Sequence, residues 1–213
     1  MKYQVNKNYF KVINTEEKAY WLGFIFADGC INQNFSKNGN IKSMNLELTL
    51  QAKDETHLYK FVKSIGSTHP IAYKNVGNGA YRVCITCTEL CRDLINLGCT
   101  PRKSLTVKFP KMEDSLVRHF IRGYSDGNAT ISTRTRYILS CGSPSFISYI
   151  QEYFINKLGV TRVNLRKDVR SNNLQYEKSK NDTLKILNYL YKGATIYLDR
   201  KYNKAIAYLE GNL

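Results

Sequence analysis

The 213 residues suffice for one large domain or two compact ones, and with 43% hydrophobic and 23% charged residues the composition excludes a disordered chain. The 32 Lys and Arg residues outnumber the 17 Asp and Glu residues, which gives a formal net charge of +15. This charge is spread along the chain rather than gathered in a basic tail or an amphipathic helix, so we expect a nucleic-acid partner and no membrane surface.

The beginning of the chain is polar and interrupted by charges, unlike a secretory leader. The longest apolar stretch, residues 19–27, is too short to span a bilayer. We therefore expect a soluble, intracellular protein that is not secreted. Cys84, Cys87 and Cys91 leave a zinc site open as an alternative, but reduced thiols buried as small apolar side chains are the favoured interpretation.

An internal repeat divides the chain. Residues 20–31 and residues 120–131 are similar, and Gly23 and Gly123 occupy the same place in the two segments, about a hundred residues apart. Each segment is predicted to end a helix. Residues 105–112 are predicted to be a linker between an N-terminal half, residues 1–104, and a C-terminal half, residues 113–213.

In the first half, the helix is followed by two predicted hairpins, each with a helix after it. Residues 44–51 alternate apolar and polar side chains, which is typical of a half-buried strand. The predicted elements after the first helix are strands at residues 31–35 and 44–51, a helix at 54–65, strands at 71–75 and 81–86, and a helix at 89–97.

The second half repeats this order. Its predicted elements are a helix at residues 115–126, strands at 129–134 and 137–141, a helix at 144–158, strands at 162–166 and 174–178, and helices at 183–191 and 197–209. One apolar helix that ends at an Asp-Gly turn is unremarkable by itself. Two copies, each followed by the same order of elements, indicate a duplicated unit.

Residues 21–29 (WLGFIFADG) and 121–129 (IRGYSDGNA) resemble the paired nine-residue motifs of the single-chain LAGLIDADG homing endonucleases. Residues 97–104 and 198–202 also resemble segments that follow each repeat in this family, so the resemblance spans nearly the whole chain. It implies an α+β fold of two pseudo-symmetric αββαββα halves, each with a four-stranded antiparallel sheet, that form a saddle over double-stranded DNA. A monomer with two such halves needs no dimer.

The resemblance also implies a nuclease centre. Gly23 and Gly123 would let the two motif helices pack closely and so bring Asp28 and residue 128 together. Paired carboxylates bind divalent cations through hard oxygen ligands, and such ions stabilise in-line phosphodiester displacement. Mg²⁺ is the implied metal, with Mn²⁺ or Ca²⁺ as alternatives. The predicted metal site consists of Asp28, Gly29, Gly127 and Asn128.

Two lysines are the other predicted catalytic residues beside Asp28 and Asn128. Lys103 and Lys201 fall at matching places in the halves. The resemblance suggests that each reaches the centre to orient water or to stabilise phosphate charge. A generic phosphate contact or a solvated lysine remains an equally good interpretation. Arg102 and Arg200 are less favoured neighbours for the same role.

This chain departs from the family pattern at residue 128, which is Asn instead of Asp or Glu. An amide offers an oxygen but no charge, so we predict weakened metal binding and sharply reduced double-strand cleavage. Asp126 lies two residues earlier, but using it would break the Gly23/Gly123 correspondence. Three alternatives stay open: a nickase or slow enzyme, a binding-only descendant, or an engineered change that traps uncut DNA.

The outward side chains of the predicted strands form the expected DNA-binding face. Arg suits guanine, while Asn and Gln suit adenine, so a mixed polar face favours contact with base edges. The predicted contacts in the first half are Asn32, Asn34, Lys37, Lys42, Glu47, Thr49, Gln51, Lys74 and Arg82. In the second half they are Ser132, Arg134, Arg136, Asn164, Arg166, Gln175 and Lys178.

Two other classes of function remain. The first is a cleavage-inactive sequence-specific DNA-binding protein, or an intron RNA maturase, on the same scaffold; Asn128 favours this class. The second is an unrelated basic α+β protein, such as a ribosome-associated factor, whose second motif would not pack beside the first.

Overall fold

The computed structural model describes residues 3–132, 136–169, 171 and 173–211. Its first half begins with a central helix and continues through two hairpins. The elements are α1 (Glu16–Asp28), β1 (Gly29–Phe35), β2 (Ile41–Gln51), α2 (Glu55–Ser64), β3 (Ile71–Lys74), β4 (Ala80–Thr86) and α3 (Thr88–Asn96).

The second half has the same order and one more helix. Its elements are α4 (Asp114–Asn128), β5 (Ala129–Ser132), β6 (Arg136–Cys141), α5 (Pro144–Leu158), β7 (Arg166–Lys167), β8 (Leu174–Ser179), α6 (Lys180–Tyr191) and α7 (Asp199–Glu210). None of the helices in the described residues is long and apolar enough to cross a membrane.

Each half builds one four-stranded antiparallel sheet, in the orders β1-β2-β4-β3 and β5-β6-β8-β7. The alternation in β2 explains its orientation, because Met44, Leu46, Leu48 and Leu50 are buried while the residues between them face outward. This architecture confirms the predicted α+β fold of two similar halves.

The helices α1 and α4 form the centre of the molecule, and each is almost entirely buried along its second half. Thr15 caps α1, since its hydroxyl accepts a hydrogen bond from the Lys18 amide at 3.2 Å. Residues 21–30 and 121–130 have the same order of burial: six buried residues, two half-buried, one buried and one exposed. The repeat in sequence is therefore also a repeat in burial.

The prediction of a strand at residues 162–166 was wrong in length, because the observed strand β7 spans only Arg166–Lys167. The backbone before β7 bonds to side chains instead of a neighbouring strand. The Thr161 and Val163 amides donate to Asp182 and Gln151, each at 3.0 Å. In the first hairpin of this half, β5 ends at Ser132 and residues 133–135 lie outside the described residues.

Candidate active site and nucleic-acid face

Two glycines let α1 and α4 approach backbone to backbone. A Cβ atom added to Gly23 would lie 2.8 Å from the carbonyl carbon of Phe120 and closer still to its oxygen. A Cβ atom on Gly123 would meet the Tyr20 carbonyl in the same way. Since no side chain fits between the helices here, the two helix C-termini are held side by side.

At those C-termini the Asp28 carboxylate lies against the end of the opposite helix. A Cβ atom on Gly127 would lie 2.9 Å from Asp28 Oδ2 and 2.5 Å from the Cβ atom of Ala27. Glycine at 127 therefore leaves the space that the Asp28 side chain occupies. Asn128 is half-buried at the end of α4, and its side chain is hydrogen-bonded to the Tyr124 hydroxyl.

Two buried lysines flank this place symmetrically. Lys103 donates a short hydrogen bond from Nζ to the carbonyl oxygen of Gly29, and Lys201 donates one to the carbonyl oxygen of Ala129. Gly29 and Ala129 each follow directly on a motif helix. Both lysine side chains are therefore brought to equivalent positions at the two helix ends.

The charges in this cluster perturb one another. Burial raises the pKa of Asp28 to about 6, although Lys103, Lys201 and Arg200 act in the opposite direction. Burial and, to a smaller extent, the charge of Arg200 lower the pKa of Lys201 to about 8. The Asp28 carboxylate thus lies among several cations, which is an arrangement suited to binding a phosphate.

The oxygen donors present fit a magnesium ion whose other ligands are water and substrate phosphate. Within the described ranges no group of three or more His, Cys, Asp or Glu side chains is placed to hold a metal. Asp28 supplies one carboxylate and Asn128 a neutral amide oxygen, whereas the carbonyl of Gly29, a predicted ligand, already accepts a hydrogen bond from the Lys103 ammonium group. Mg²⁺ is commonly held by one or two carboxylates together with water and substrate phosphate, so this donor set is compatible with it.

Asp126 already has hydrogen-bond partners for both of its carboxylate oxygens. It is fully buried and accepts hydrogen bonds from the Tyr20 hydroxyl at 2.7 Å, the Tyr191 hydroxyl at 2.6 Å and the Leu198 amide at 2.7 Å. Burial raises its pKa, and these three donors partly offset that rise. A carboxylate enclosed in this way cannot take the place of a charge at residue 128.

The exposed face of the first sheet carries a polar set close to the predicted one. Register places Thr49 beside Arg82 and Gln51 beside Ala80, and Arg82 also pairs with Glu47 at 3.3 Å. The residues of this face include Asn32, Asn34, Glu47, Thr49, Gln51, Lys74 and Arg82. Lys37 is exposed in the loop between β1 and β2, and Lys42 is exposed in β2 at the irregularity where the β1–β2 register shifts.

The second sheet corrects one predicted contact. Lys178 pairs with buried Tyr137, is itself only 3% exposed, and donates to Asp182 at 2.8 Å and to Thr161, so it faces the core and not DNA. The prediction extended the polar pattern by one residue along β8, and a shift of one residue changes the face. The predicted residues at or near the exposed face are Ser132, Arg136, Asn164, Arg166 and Gln175. Arg134 lies outside the described residues.

Several residues of this surface were missed by sequence reasoning. Glu177 shares the outer face with Arg136 and pairs with it at 2.8 Å. Asn45 stands opposite Asn32 and bonds to it at 3.2 Å. Strict alternation from Glu47 back to Asn45 would have found the second pair. Alternation from Gln175 would likewise have placed Glu177 on the outer face, but its pairing with Arg136 depends on the register between β6 and β8, which the sequence does not show.

The cysteines do not form a metal centre or a disulfide among the described residues. All six are free thiols, and Cys87 and Cys91 are buried while Cys84 is half-buried on the outer face of the first sheet. Burial raises the pKa of Cys91 to about 12. These thiols are therefore protonated at neutral pH where buried, and they pack as apolar side chains.

No protein-family model matches the chain, and no curated protein matches it in sequence. Solved structures match over almost its whole length. The homing endonuclease I-DmoI in complex with DNA and calcium has a TM-score of 0.64 and 16% identity, over 96% of this chain and 99% of that one. The LAGLIDADG meganuclease I-AabMI bound to uncleaved DNA has a TM-score of 0.60 and 12% identity, over 91% and 89%.

A third structure, the I-SmaMI LAGLIDADG homing endonuclease bound to cleaved DNA, has a TM-score of 0.60 and 14% identity, over 93% of this chain and 88% of that one. At such identities the similarity is one of fold. The chain therefore has the two-half fold of single-chain LAGLIDADG homing endonucleases.

Proposed function

We propose that this chain is a site-specific DNA endonuclease of the LAGLIDADG homing type, which hydrolyses phosphodiester bonds at a long asymmetric duplex target with a divalent cation. The observation that carries the proposal is the position of Asp28 between the helix ends, flanked by the buried Lys103 and Lys201. The solved structures of the same fold include complexes with DNA and calcium and with nicked DNA and manganese.

The metal would be held by the Asp28 carboxylate, the Asn128 side-chain oxygen and the backbone oxygen of Gly127, with Mg²⁺ as the proposed ion. When bound, it supplies charge stabilisation for an in-line displacement at phosphorus. Asp28 is ionised in most molecules at neutral pH, since its pKa of about 6 lies below that pH.

The chain itself would position the phosphate. Lys103 and Lys201 are each anchored at a helix-end carbonyl, so their ammonium groups are oriented before DNA arrives. Such prior orientation reduces the entropy that a flexible lysine loses on binding. Both lysines are also mostly shielded from water, at 7% and 6% exposed, which strengthens their attraction for a developing negative charge.

The two sheets would bind the two halves of the target. Their outer faces carry different side chains, with Thr49, Gln51 and Arg82 in the first and Arg136, Arg166 and Gln175 in the second. A single chain with unequal halves selects an asymmetric site and acts as a monomer. Since its substrate is DNA, we propose that the protein works inside the cell.

Asn128 favours a second candidate, a sequence-specific DNA-binding protein that does not cut. The site has one carboxylate in place of two, and the Asn128 side chain is engaged with Tyr124. With one carboxylate fewer, cleavage of both strands is slowed, only one strand is cut, or cleavage is lost. An intron RNA as the bound polymer is a further outcome of the same test.

The test is selection of duplexes from a randomised DNA library by the whole chain, followed by incubation of the selected duplexes with Mg²⁺. Nicks or breaks at one fixed position, absent in an Asp28→Asn variant, would support the endonuclease. Specific binding without scission would move the function to DNA binding alone. Failure to select any duplex, together with preference for RNA, would contradict both.

A further inference from the structure

An ion pair joins the two halves beside the proposed active site. Arg200, in the first turn of α7, donates from Nε to both carboxylate oxygens of Asp54, at 2.8 and 2.9 Å. Asp54 immediately precedes α2 in the other half and is only 4% exposed. The guanidinium is partly open to solvent, with the Arg200 side chain 36% exposed.

Arg200 is close enough to act on the site electrostatically. It is adjacent to Lys201, whose ammonium group lies at the end of α4, and its positive charge opposes the rise that burial causes in the pKa of Asp28. In the described residues both hydrogen bonds of this guanidinium use Nε. The two terminal nitrogens therefore keep the donor pair that binds a phosphate in a forked geometry.

The symmetry-related positions form no such pair in the described part of the chain. Arg102 corresponds to Arg200, because each precedes a buried lysine, but it is exposed and adopts a left-handed backbone with φ 57°. The position that corresponds to Asp54 is Ser143, which precedes α5 and donates its hydroxyl to the Val107 carbonyl at 2.6 Å. One helix end therefore has a fixed guanidinium nearby, and the other has an exposed arginine.

We propose that Asp54 is a positioning residue that holds Arg200 for contact with one backbone phosphate, so that the two strands of a bound duplex are held unequally. The inference rests on the proposed function, because it requires duplex DNA over the two helix ends. A buried carboxylate restricts the arginine before binding, so less side-chain entropy is lost when the phosphate arrives. The same carboxylate also prevents the guanidinium from turning away.

The experiment uses the full chain and a fluorescent duplex taken from the library selection, without metal. Single phosphates are replaced one at a time by neutral methylphosphonates, and affinity is measured at several salt concentrations. The proteins are the wild type, Asp54→Asn, Arg200→Ala, the double variant, and Arg102→Ala as the matched control.

For the wild type, we expect one methylphosphonate on one strand to weaken binding roughly tenfold, as loss of a charge-assisted hydrogen bond does. Arg200→Ala should make binding indifferent to that substitution and reduce the salt slope by about 0.9. Asp54→Asn should reduce the methylphosphonate effect only when Arg200 is present, so the double variant should equal Arg200→Ala. Arg102→Ala should leave that phosphate's effect intact.

A purely structural pair would behave differently. If Asp54→Asn lowers the unfolding temperature but leaves the methylphosphonate effect unchanged, Asp54 only joins the halves and the inference is wrong. If Arg200→Ala and Arg102→Ala act alike on every phosphate, the strands are held equally and the inference also fails, while the proposed function stands. If the wild type selects no duplex, the proposed function fails and takes this inference with it.

Discussion

The carbonyl group of Phe120 occupies the space in which a side chain on Gly23 would have to lie, and the Tyr20 carbonyl does the same for Gly123. Gly23→Ala should therefore force the central helices apart, because the obstacle is backbone and cannot move aside. We expect a loss of about 3 kcal/mol in the free energy of unfolding, measured by chemical denaturation.

The matched control is Gly39→Ala, in the hairpin tip between β1 and β2. Gly39 has φ 78° but open space around its Cβ position, so only backbone strain is added, at a cost of about 1 kcal/mol. Equal losses for the two variants would show that close helix contact contributes little to stability.

The buried Asp126 cluster should stabilise the junction of the halves. Tyr191→Phe removes one donor and leaves a carboxylate oxygen that is fully enclosed, so we expect a loss of roughly 1–3 kcal/mol. The control is Tyr189→Phe, whose hydroxyl bonds to Tyr153 in a partly buried place and should cost less. A larger loss for the control in a denaturation experiment would contradict this ranking.

Stability should depend on pH through His57. The Tyr20 hydroxyl gives its proton to Asp126, so the 3.0 Å bond to His57 requires a proton on Nε2 of a neutral ring. Burial lowers the pKa of His57 to about 3, from an ordinary value near 6.5. Between those pH values the unfolded chain takes up a proton that the folded protein does not, so stability should fall as pH falls from about 6.5 towards 3.

The measurement is the free energy of unfolding of the wild type and of His57→Gln across this pH interval. His119 and His69 also have lowered pKa values, so both proteins should lose stability on acidification. The wild type should show the steeper dependence. Parallel curves would mean that His57 is not held neutral by the fold.

Substitutions at Lys178 and at Arg166 should have different effects, the first on stability and the second on DNA sequence preference. Lys178→Met removes bonds to Thr161 and Asp182 inside the second half, so it should lower the unfolding midpoint without altering the preferred base at any target position. Arg166→Met changes an exposed side chain, so it should alter the preferred base at a target position without lowering the unfolding midpoint. Library selection with each variant checks both, and a changed base preference in Lys178→Met would contradict the assignment of faces.

Much of the fold was predictable because the chain repeats itself. Gly23 and Gly123 fixed the alignment of the halves, and the alternation from Met44 to Leu50 fixed the orientation of β2. The helix at residues 144–158 was predicted to its last residue, since Pro144 begins it and Gly159 ends it with φ 61°.

What the sequence could not supply depended on contacts between distant residues. The burial of Lys178 follows from a carboxylate four residues later and a threonine in a preceding loop, neither of which alters the local pattern. The Asp54–Arg200 pair joins residues in different halves, and no sequence pattern near either residue predicts the ion pair. The sequence also could not predict that Lys103 and Lys201 are hydrogen-bonded to the carbonyls of Gly29 and Ala129, because those contacts too join residues far apart in the chain.

The central claim is that Asp28 belongs to a nuclease centre which Asn128 leaves one charge short. The direct measurement is strand-resolved cleavage of the selected duplex in Mg²⁺ by the wild type and by Asn128→Asp. We predict slow cleavage or nicking of one strand by the wild type, and cutting of both strands by Asn128→Asp at a rate roughly a hundredfold higher, since charge stabilisation by a bound metal is worth several kcal/mol. Efficient cutting of both strands by the wild type, at the rate of the variant, would contradict the account.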